Sequence, residues 1–156
     1  MIKILFVCHG NICRSPMAEF VFKYMVKEKG LEKEFIINSS ATSCEELGNS
    51  VHRGTKKKLH EMGIPCGDHR AVRLTKEDYD FYDYIVAMDS NNIRNIEKIT
   101  GRDIKNKVHL LLDFTDRKGQ SIADPWYTGN FDVTYEDIDK GCRGLLNKFI
   151  KNNEIY

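Results

Sequence analysis

A short loop near the N-terminus constrains this chain more than any other part of it. The apolar residues 4–7 predict a β-strand, and they lead directly into Cys8-His9-Gly10-Asn11-Ile12-Cys13-Arg14-Ser15. Pro16 follows, a favoured first residue of a helix. A loop that runs from a strand into a helix presents unpaired backbone N–H groups and the positive end of the helix dipole. Both favour a bound dianion, so the segment predicts a phosphate-binding loop.

Three side chains of this loop suit chemistry on a phosphate. The field of the helix favours Cys8 as a thiolate, the form that attacks. The guanidinium of Arg14 can bind two phosphate oxygens at once, a geometry that lysine cannot reproduce. Ser15 can donate a hydrogen bond to the sulfur when the thiolate must leave. The alternative is that Cys8 is a buried packing residue, which the adjacent arginine and helix start disfavour.

The composition indicates one globular domain spanning residues 1–156. The chain is 41% hydrophobic and carries 24 Lys and Arg residues against 23 Asp and Glu residues. This balance argues against nucleic acid or a membrane surface as a partner. No segment approaches the roughly 20 apolar residues of a membrane span, so no membrane insertion is expected. Residues 1–7 lack the longer apolar core of a signal peptide.

The cysteine pattern bears on the cellular compartment. Five cysteines are an odd number, and no two of them form a C-x-x-C pair. Neither a disulfide scaffold nor a metal site is therefore predicted. Reduced thiols suit a cytoplasmic location, which we expect for this chain.

Short β-like runs alternate with helical patterns along the chain. The predicted strands are residues 2–7, 35–39, 84–88 and 108–112. The predicted helices run from Pro16 to Gly30, over about 53–62, from Thr75, from Asp89 or Ser90 to Gly101, and over about 134–151. This alternation indicates an α/β fold, a parallel sheet with helices on both faces. Cys142 recurs with apolar residues at helical spacing and is assigned to the core.

Displacing an alcohol or a phenol from a phosphate ester requires an acid for the departing oxygen. Asp124 is the candidate, because it lies in residues 113–130, which carry no clear secondary-structure pattern, and such long connections are usually functional. Pro125 favours an extended backbone at Asp124. Trp126 and Tyr127 would then form the walls of a slot for a flat ring. The alternative is that these aromatics pin the loop to the core.

Two stretches together resemble the low-molecular-weight protein tyrosine phosphatases. They are Val7-Cys8-His9-Gly10-Asn11-Ile12-Cys13-Arg14-Ser15-Pro16-Met17-Ala18-Glu19 and Asp124-Pro125-Trp126-Tyr127. The resemblance implies a flavodoxin-like three-layer α/β domain with a four-stranded parallel sheet and no cofactor. It implies a phosphocysteine on Cys8, phosphoryl oxygens bound by Arg14, and Asp124 as the acid that later activates water. Phosphotyrosine-containing proteins would be the substrates, and inorganic phosphate the product.

The resemblance also implies supporting roles. The loop residues that would surround the substrate, besides Cys8 and Arg14, are His9, Gly10, Asn11, Ile12, Cys13 and Ser15. Asn11 would brace the loop through Ser39 and His69. Two positions depart from the family pattern, since Ala41 stands where the family usually has glycine, and His69-Arg70-Ala71-Val72 replaces His-x-Ala-Arg. His69 could equally be an ordinary surface-loop histidine.

Two further residues have alternative readings. Asp89 could pair with Arg14 or cap the helix that follows it. Family members carry a second cysteine at the position of Cys13, and it can form a disulfide with an oxidised Cys8, which implies redox regulation. The alternative for Cys13 is packing beneath the loop.

Three rival functions use a similar loop. Arsenate reductases of the same fold relay oxidation through cysteines in the middle of the chain, but residues 81–89 contain none. A phosphocysteine carrier domain, and an anion sensor without turnover, need neither Asp124 as an acid nor an aromatic slot. Catalytic release of phosphate from an aryl phosphate would separate an enzyme from both.

Overall fold

The computed structural model describes residues 1–152 and is built on a four-stranded parallel sheet. The strands are β1 (Ile2–Cys8), β2 (Phe35–Ala41), β3 (Tyr84–Ala87) and β4 (Val108–Leu110). Their order is β2-β1-β3-β4. The chain first winds to one side of β1 and then crosses to the other, so the winding direction reverses at the carboxyl end of β1, where ligands bind in open α/β sheets. Cys8 lies at that end.

The described residues form six α-helices around the sheet. They are α1 (Arg14–Glu28), α2 (Arg53–Glu61), α3 (Lys76–Phe81), α4 (Ser90–Thr100), α5 (Pro125–Thr128) and α6 (Phe131–Lys151). Short 3-10 helices at Glu32–Glu34 and Leu111–Phe114 precede β2 and follow β4. No helix among residues 1–152 is both long and apolar enough to cross a membrane.

Both faces of the sheet are covered by helices. Ile4 and Phe6 of β1 belong to the core shared with α1, α2 and α6. Leu5 and Val7 belong to the opposite core, beneath α3 and α4. Because side chains alternate along a strand, burial on both faces requires a continuous apolar run such as residues 4–7. The predicted α/β fold is confirmed, and Cys142 is fully buried in the core, as expected.

The first helix begins earlier than predicted. It starts at Arg14, with Cys13 as the N-cap residue, so Pro16 is the third helical residue rather than the first. A proline is tolerated there because the first N–H groups of a helix have no partner within it. The first bond of the helix runs from Met17 N to Cys13 O (3.2 Å). The early start places the arginine and the serine of the loop in the first helical turn.

Three later expectations also need correction. β4 ends at Leu110 rather than at residue 112, because the chain tightens into the 3-10 helix, which packs Leu111 and Leu112 into the core. Residues 113–130 are not wholly irregular, since they contain α5. The last helix begins at Phe131 rather than near 134, and its first turn is too exposed to show apolar periodicity.

Two helix starts agree with the sequence. Thr75 and Asp78 cap α3 reciprocally, since each side chain accepts a hydrogen bond from the backbone N–H of the other residue (3.3 and 2.9 Å). Asp89 caps α4, where its Oδ1 accepts from Asn92 N (2.8 Å) and Asn92 Oδ1 accepts from Asp89 N (3.0 Å). These reciprocal bonds satisfy backbone donors that the helix itself cannot satisfy.

Candidate active site

The loop between β1 and α1, taken with Cys8 at its start, bonds carbonyl groups to segments outside it. Four of them accept hydrogen bonds from outside the loop: Cys8 O from Thr42 N (3.0 Å), His9 O from Ser43 N (3.1 Å), Ile12 O from His52 N (2.8 Å) and Cys13 O from the Thr55 hydroxyl (3.2 Å). In a trans peptide the N–H points opposite to the C=O. Outward carbonyls therefore turn the adjacent N–H groups inward, which makes an anion-binding concavity.

The sulfur of Cys8 lies within this loop and is held by two donors. Asn11 N donates to Cys8 Sγ at 3.3 Å, and Ser15 Oγ lies 3.0 Å from the same sulfur. Because Ser15 Oγ already accepts from Asn11 Nδ2 (2.8 Å), its own proton is available to the sulfur. Both contacts stabilise negative charge on Cys8.

Asn11 fixes the shape of the loop. Its φ is 60°, in the left-handed region that asparagine tolerates better than most residues. Its Oδ1 accepts from Val72 N (3.1 Å) and faces His69 Nε2 at 2.8 Å, while its Nδ2 donates to Ser39 Oγ (2.9 Å) and to Ser15. The amide is fully buried and its donors and acceptor are used. Asn11, Ser39 and His69 are thus brought together as expected.

Glu19 completes this network and was not assigned a role from the sequence. It is buried on α1, and its carboxylate accepts from Ser39 Oγ (2.6 Å) and Lys23 Nζ (2.6 Å). His69 Nδ1 lies 3.7 Å from Glu19 Oε1. Burial lowers the pKa of His69, and the Glu19 carboxylate opposes that shift. No signal in the sequence pointed to this role, because Glu19 lies on the side of α1 opposite to its periodic apolar residues and next to Lys23, as an ordinary exposed i,i+4 pair would.

Arg14 is buried and held between two carboxylates and a carbonyl. Its Nη1 donates to Asp89 Oδ2 (2.7 Å) and to Ile122 O (2.9 Å), and its Nη2 lies 3.4 Å from Asp124 Oδ2. Burial acts to lower the pKa of Arg14, but the negative charges of Cys8, Asp89 and Asp124 outweigh it and raise the pKa. The Ile122 carbonyl could not be identified from the sequence, because a backbone contact leaves no residue-type signal.

Asp89 performs both of the tasks considered for it. One carboxylate oxygen caps α4, and the other binds Arg14. The two tasks are compatible because the positive end of the α4 dipole favours a negative charge at the N-cap. Asp89 therefore orients the arginine from a helix terminus.

Asp124 and two aromatic residues lie on the opposite loop. Asp124 has extended backbone angles, as Pro125 predicts, and its Oδ1 accepts from Trp126 N (3.0 Å) to cap α5. Trp126 and Tyr127 line the same cleft as Cys8 and are 56% and 82% exposed. Such exposure is incompatible with a loop that these two rings pin to the core. Trp126 also meets the His52 ring edge-on, with ring centroids 5.7 Å apart.

Cys13 is buried beside Ile12 and Ala71. Burial, with the negative charges of Cys8 and Asp124, raises the pKa of Cys13 to about 12. Its thiol is therefore protonated at neutral pH.

One departure from the family pattern, alanine in place of glycine at position 41, does not disturb the loop. Ala41 ends β2 with its N–H bonded to Val72 O (2.7 Å) and its carbonyl bonded to Leu74 N (2.8 Å). No positive φ is needed at this position, so alanine can replace glycine here.

The cleft has a volume of about 100 Å³. It brings together most of the predicted site residues: Cys8, His9, Gly10, Asn11, Ile12, Cys13, Arg14, Asp124, Trp126 and Tyr127. The sequence did not single out the two other residues that line it, Glu45 and Glu46. Ser15, Ser39, His69 and Asp89 support the cleft from behind through the contacts given above.

Replacing Asn11 by alanine should destabilise the loop and weaken phosphate binding. The variant loses four buried hydrogen bonds, so we expect the free energy of unfolding to fall by about 3 kcal/mol. Affinity for inorganic phosphate should fall at least about tenfold, because the inward N–H groups lose their fixed orientation. Denaturant unfolding and calorimetric titration with phosphate measure the two effects.

Asn106→Ala is the matched control. Asn106 also has a positive φ (53°), but it is exposed. In this variant the free energy of unfolding should fall only by the about 1 kcal/mol that alanine costs at a left-handed φ, and phosphate affinity should be unchanged. Equal losses in both variants would contradict the bracing role of Asn11.

Sequence comparison with known proteins identifies a family model and relatives that match nearly the whole chain. The family model described as low molecular weight phosphotyrosine protein phosphatase matches residues 3–155. The low molecular weight protein-tyrosine-phosphatase YfkJ of Bacillus subtilis is 39% identical over an alignment of 158 positions, which covers 99% of this chain and 100% of YfkJ. PtpA of Staphylococcus epidermidis, with the same descriptive name, is 37% identical over 155 residues, covering 99% and 98% of the two chains.

Solved structures agree with these matches. The crystal structure of YfkJ aligns with a TM-score of 0.93 at 38% identity, covering 97% of this chain and 96% of that one. A structure of the YwlE arginine phosphatase, a cysteine-to-serine mutant with a phosphorylated active-site serine, aligns with a TM-score of 0.86 at 26% identity. It covers 99% and 100% of the two chains. The chain therefore belongs to the low molecular weight protein-tyrosine-phosphatase family of phosphoric monoester hydrolases.

Proposed function

We propose that this protein hydrolyses phosphotyrosine in proteins, and small aryl phosphates, through a phosphocysteine on Cys8. The observation that carries the proposal is the loop itself, with four carbonyls bonded outward around a buried sulfur. Such a loop orients N–H groups toward the three phosphoryl oxygens before the substrate arrives. Fixed donors of this kind stabilise the charge that develops in the transition state.

The first step transfers the phosphoryl group to sulfur. The Cys8 thiolate attacks phosphorus, and the bond between phosphorus and the phenolic oxygen breaks. Arg14 offers the N–H groups that Asp89 and Ile122 do not occupy to the phosphoryl oxygens. The carboxylic acid of Asp124 gives its proton to the departing phenolate oxygen.

The second step returns the enzyme to its starting state. Water attacks the phosphocysteine, and the Asp124 carboxylate takes a proton from that water. The sulfur leaves as a thiolate, which the Ser15 hydroxyl at 3.0 Å stabilises. Inorganic phosphate is the product. The phosphorylated serine in the YwlE mutant supports an equivalent attack at the nucleophile position of that relative.

The shape of the cleft supports an aromatic substrate. Trp126 and Tyr127 line its outer part, while Cys8 lies deep and is only 3% exposed. Phosphotyrosine is long enough to reach a deep sulfur, and phosphoserine is not. Phosphoarginine is a second candidate, because YwlE is described as an arginine phosphatase. Substrate comparison separates the two.

The purified protein should release phosphate from a phosphotyrosine peptide with a kcat/KM at least about 100-fold above that for matched phosphoserine and phosphoarginine peptides. Cys8→Ser should lose at least about a thousandfold on the phosphotyrosine peptide while remaining folded, because the nucleophile is gone. Phosphate release and circular dichroism provide the measurements.

Each alternative result has a distinct meaning. A higher kcat/KM on phosphoarginine would make the protein an arginine phosphatase. Equal hydrolysis of phosphoserine would contradict the aromatic slot. A Cys8→Ser variant that retains more than about a thousandth of the activity would exclude covalent catalysis by Cys8.

Asp124→Asn should show a loss that depends on the leaving group. Asparagine keeps an oxygen for Trp126 N, so the start of α5 is preserved. On phosphotyrosine, whose phenol is a poor leaving group, we expect kcat to fall by about 10²–10⁴. On an activated aryl phosphate the loss should be much smaller, since that oxygen departs with little protonation. Equal losses on both substrates would assign Asp124 to structure or to the hydrolytic step.

We also propose a cytoplasmic location and redox control through Cys13. The five free cysteines support a reducing compartment. Hydrogen peroxide would oxidise the Cys8 thiolate to a sulfenate, with water as the other product, and the sulfenate would take up a proton from solvent to become the sulfenic acid. The Cys13 sulfur would then attack the Cys8 sulfur, and the hydroxyl group would leave with the Cys13 proton as water. Loss of the Cys8 negative charge removes one of the causes that raise the pKa of Cys13.

Cys13→Ser should therefore change the outcome of oxidation rather than prevent it. Wild-type protein treated with peroxide should regain activity after addition of a thiol, and its oxidised mass should be two hydrogens lower. The variant should be inactivated irreversibly, because nothing captures the sulfenic acid before further oxidation. Cys142→Ser is not a suitable control because Cys142 lies in the core; Cys44→Ser, at an exposed site, is suitable. Full recovery of Cys13→Ser would contradict the proposal.

A further inference from the structure

The segment after β2 forms an acidic rim on the cleft, which we define as Glu45 and Glu46. Glu45 Oε2 lies 2.9 Å from His9 Nε2 of the phosphate loop. A Cβ placed on Gly10 would lie 3.4 Å from Glu46 Cγ, so the stem of Glu46 covers that glycine. Just before the rim, Ser43 bonds to His9 O through both N and Oγ (3.1 and 2.9 Å). The acidic rim is therefore fixed relative to the reacting sulfur.

The charges that line the cleft do not balance. Among the residues that the structure describes, the acidic ones that line the cleft are Glu45, Glu46 and Asp124, and the basic ones are Arg14 and His9. Arg14 is buried and already paired with Asp89 and Asp124.

Among residues 1–152, no lysine or arginine forms an ion pair with Glu45 or Glu46, and His9 is the one basic side chain that contacts either of them. Glu46 Oε2 accepts from the neutral amide of Asn49 (2.6 Å). Arg70 bonds to Gly48 O (3.4 Å) and lines a separate cavity next to Ser39. Among the described residues that line it, the mouth of the cleft thus carries an excess of negative charge.

This excess opposes the approach of a phosphate dianion unless the substrate brings compensating positive charge. We propose that the acidic rim selects phosphotyrosine segments in which lysine or arginine lies next to the phosphotyrosine. This inference rests on the proposed function, because it concerns what surrounds the same phosphorylated residue. The aromatic pair and the acidic rim come from different loops of one cleft. The phosphotyrosine ring and the substrate residue next to it would therefore contact separate groups of the protein.

The expected preference is moderate. Glu45 is 70% exposed at its side chain, so solvent and salt screen it. Exposed ion pairs are individually weak, and two carboxylates acting together should give about a tenfold preference. The effect should appear in kcat/KM, since it acts on association and positioning rather than on bond breaking.

Three phosphotyrosine peptides test the proposal. They are identical except that both residues next to the phosphotyrosine are lysine, alanine or glutamate. With wild-type protein at low salt, kcat/KM for the lysine peptide should exceed that for the glutamate peptide about tenfold. At about 0.5 M salt the ratio should approach one, because screening is then short-ranged.

Paired variants identify the residues responsible. Glu45→Gln/Glu46→Gln removes two charges but keeps oxygen acceptors for His9 and Asn49, and it should reduce the ratio to about threefold or less. Glu77→Gln/Glu97→Gln makes the same change in net charge at exposed positions on α3 and α4 and should leave the ratio unchanged. The ratio within each variant is the readout, so an overall change in activity does not affect the comparison.

Several outcomes would overturn the proposal. One is a wild-type ratio near one at low salt, or a preference for the glutamate peptide. Another is an unchanged ratio in the Glu45→Gln/Glu46→Gln variant, or an equal decrease in the paired control. If the three peptides are hydrolysed equally well, only the acidic rim proposal fails. If no phosphotyrosine peptide and no aryl phosphate is hydrolysed, the proposed function fails with it.

Discussion

The candidate active site depends on one buried amide. Asn11 adopts a left-handed φ of 60° and is held there by Val72, His69, Ser39 and Ser15. A left-handed residue lets the chain reverse within the loop, so that neighbouring carbonyls reach partners outside while the N–H groups remain inside. A fully satisfied buried polar group holds one conformation, whereas a partly satisfied one is costly. The loop is therefore rigid before any phosphate binds.

The backbone of the loop, rather than the sum of the side-chain charges, makes the site suitable for an anion. Arg14 is the one arginine or lysine among the described residues that line the cleft, and the carboxylates of Asp89 and Asp124 already oppose its charge. Net side-chain charge thus cannot attract a dianion. The attraction comes from inward N–H groups and the N-terminus of α1, which act as fixed partial charges. Arg14 contributes geometry more than net charge.

The sequence predicted the elements that local patterns determine. The strand before Cys8, the helix starts at Thr75 and at Asp89 or Ser90, and the extended backbone at Asp124 follow from residue type and near neighbours. The sequence could not predict contacts between distant segments where the contacting group is a backbone carbonyl or an ordinary surface side chain. The Ile122 carbonyl on Arg14 is one example, and Glu45 beside His9 is another. The start of α1 was misplaced because Pro16 suits any position of a first turn.

Asp89 is both the N-cap of α4 and a partner of Arg14, and these two roles are compatible. A carboxylate has two oxygens, and the N-cap uses only one of them. The other is free to bind Arg14 at 2.7 Å. Because α4 starts at the same sheet edge as α1, one acidic residue just after β3 can begin a helix and orient the arginine at the start of another helix. The position of Arg14 is then tied to the start of α4, which would limit its motion during the proposed phosphoryl transfer.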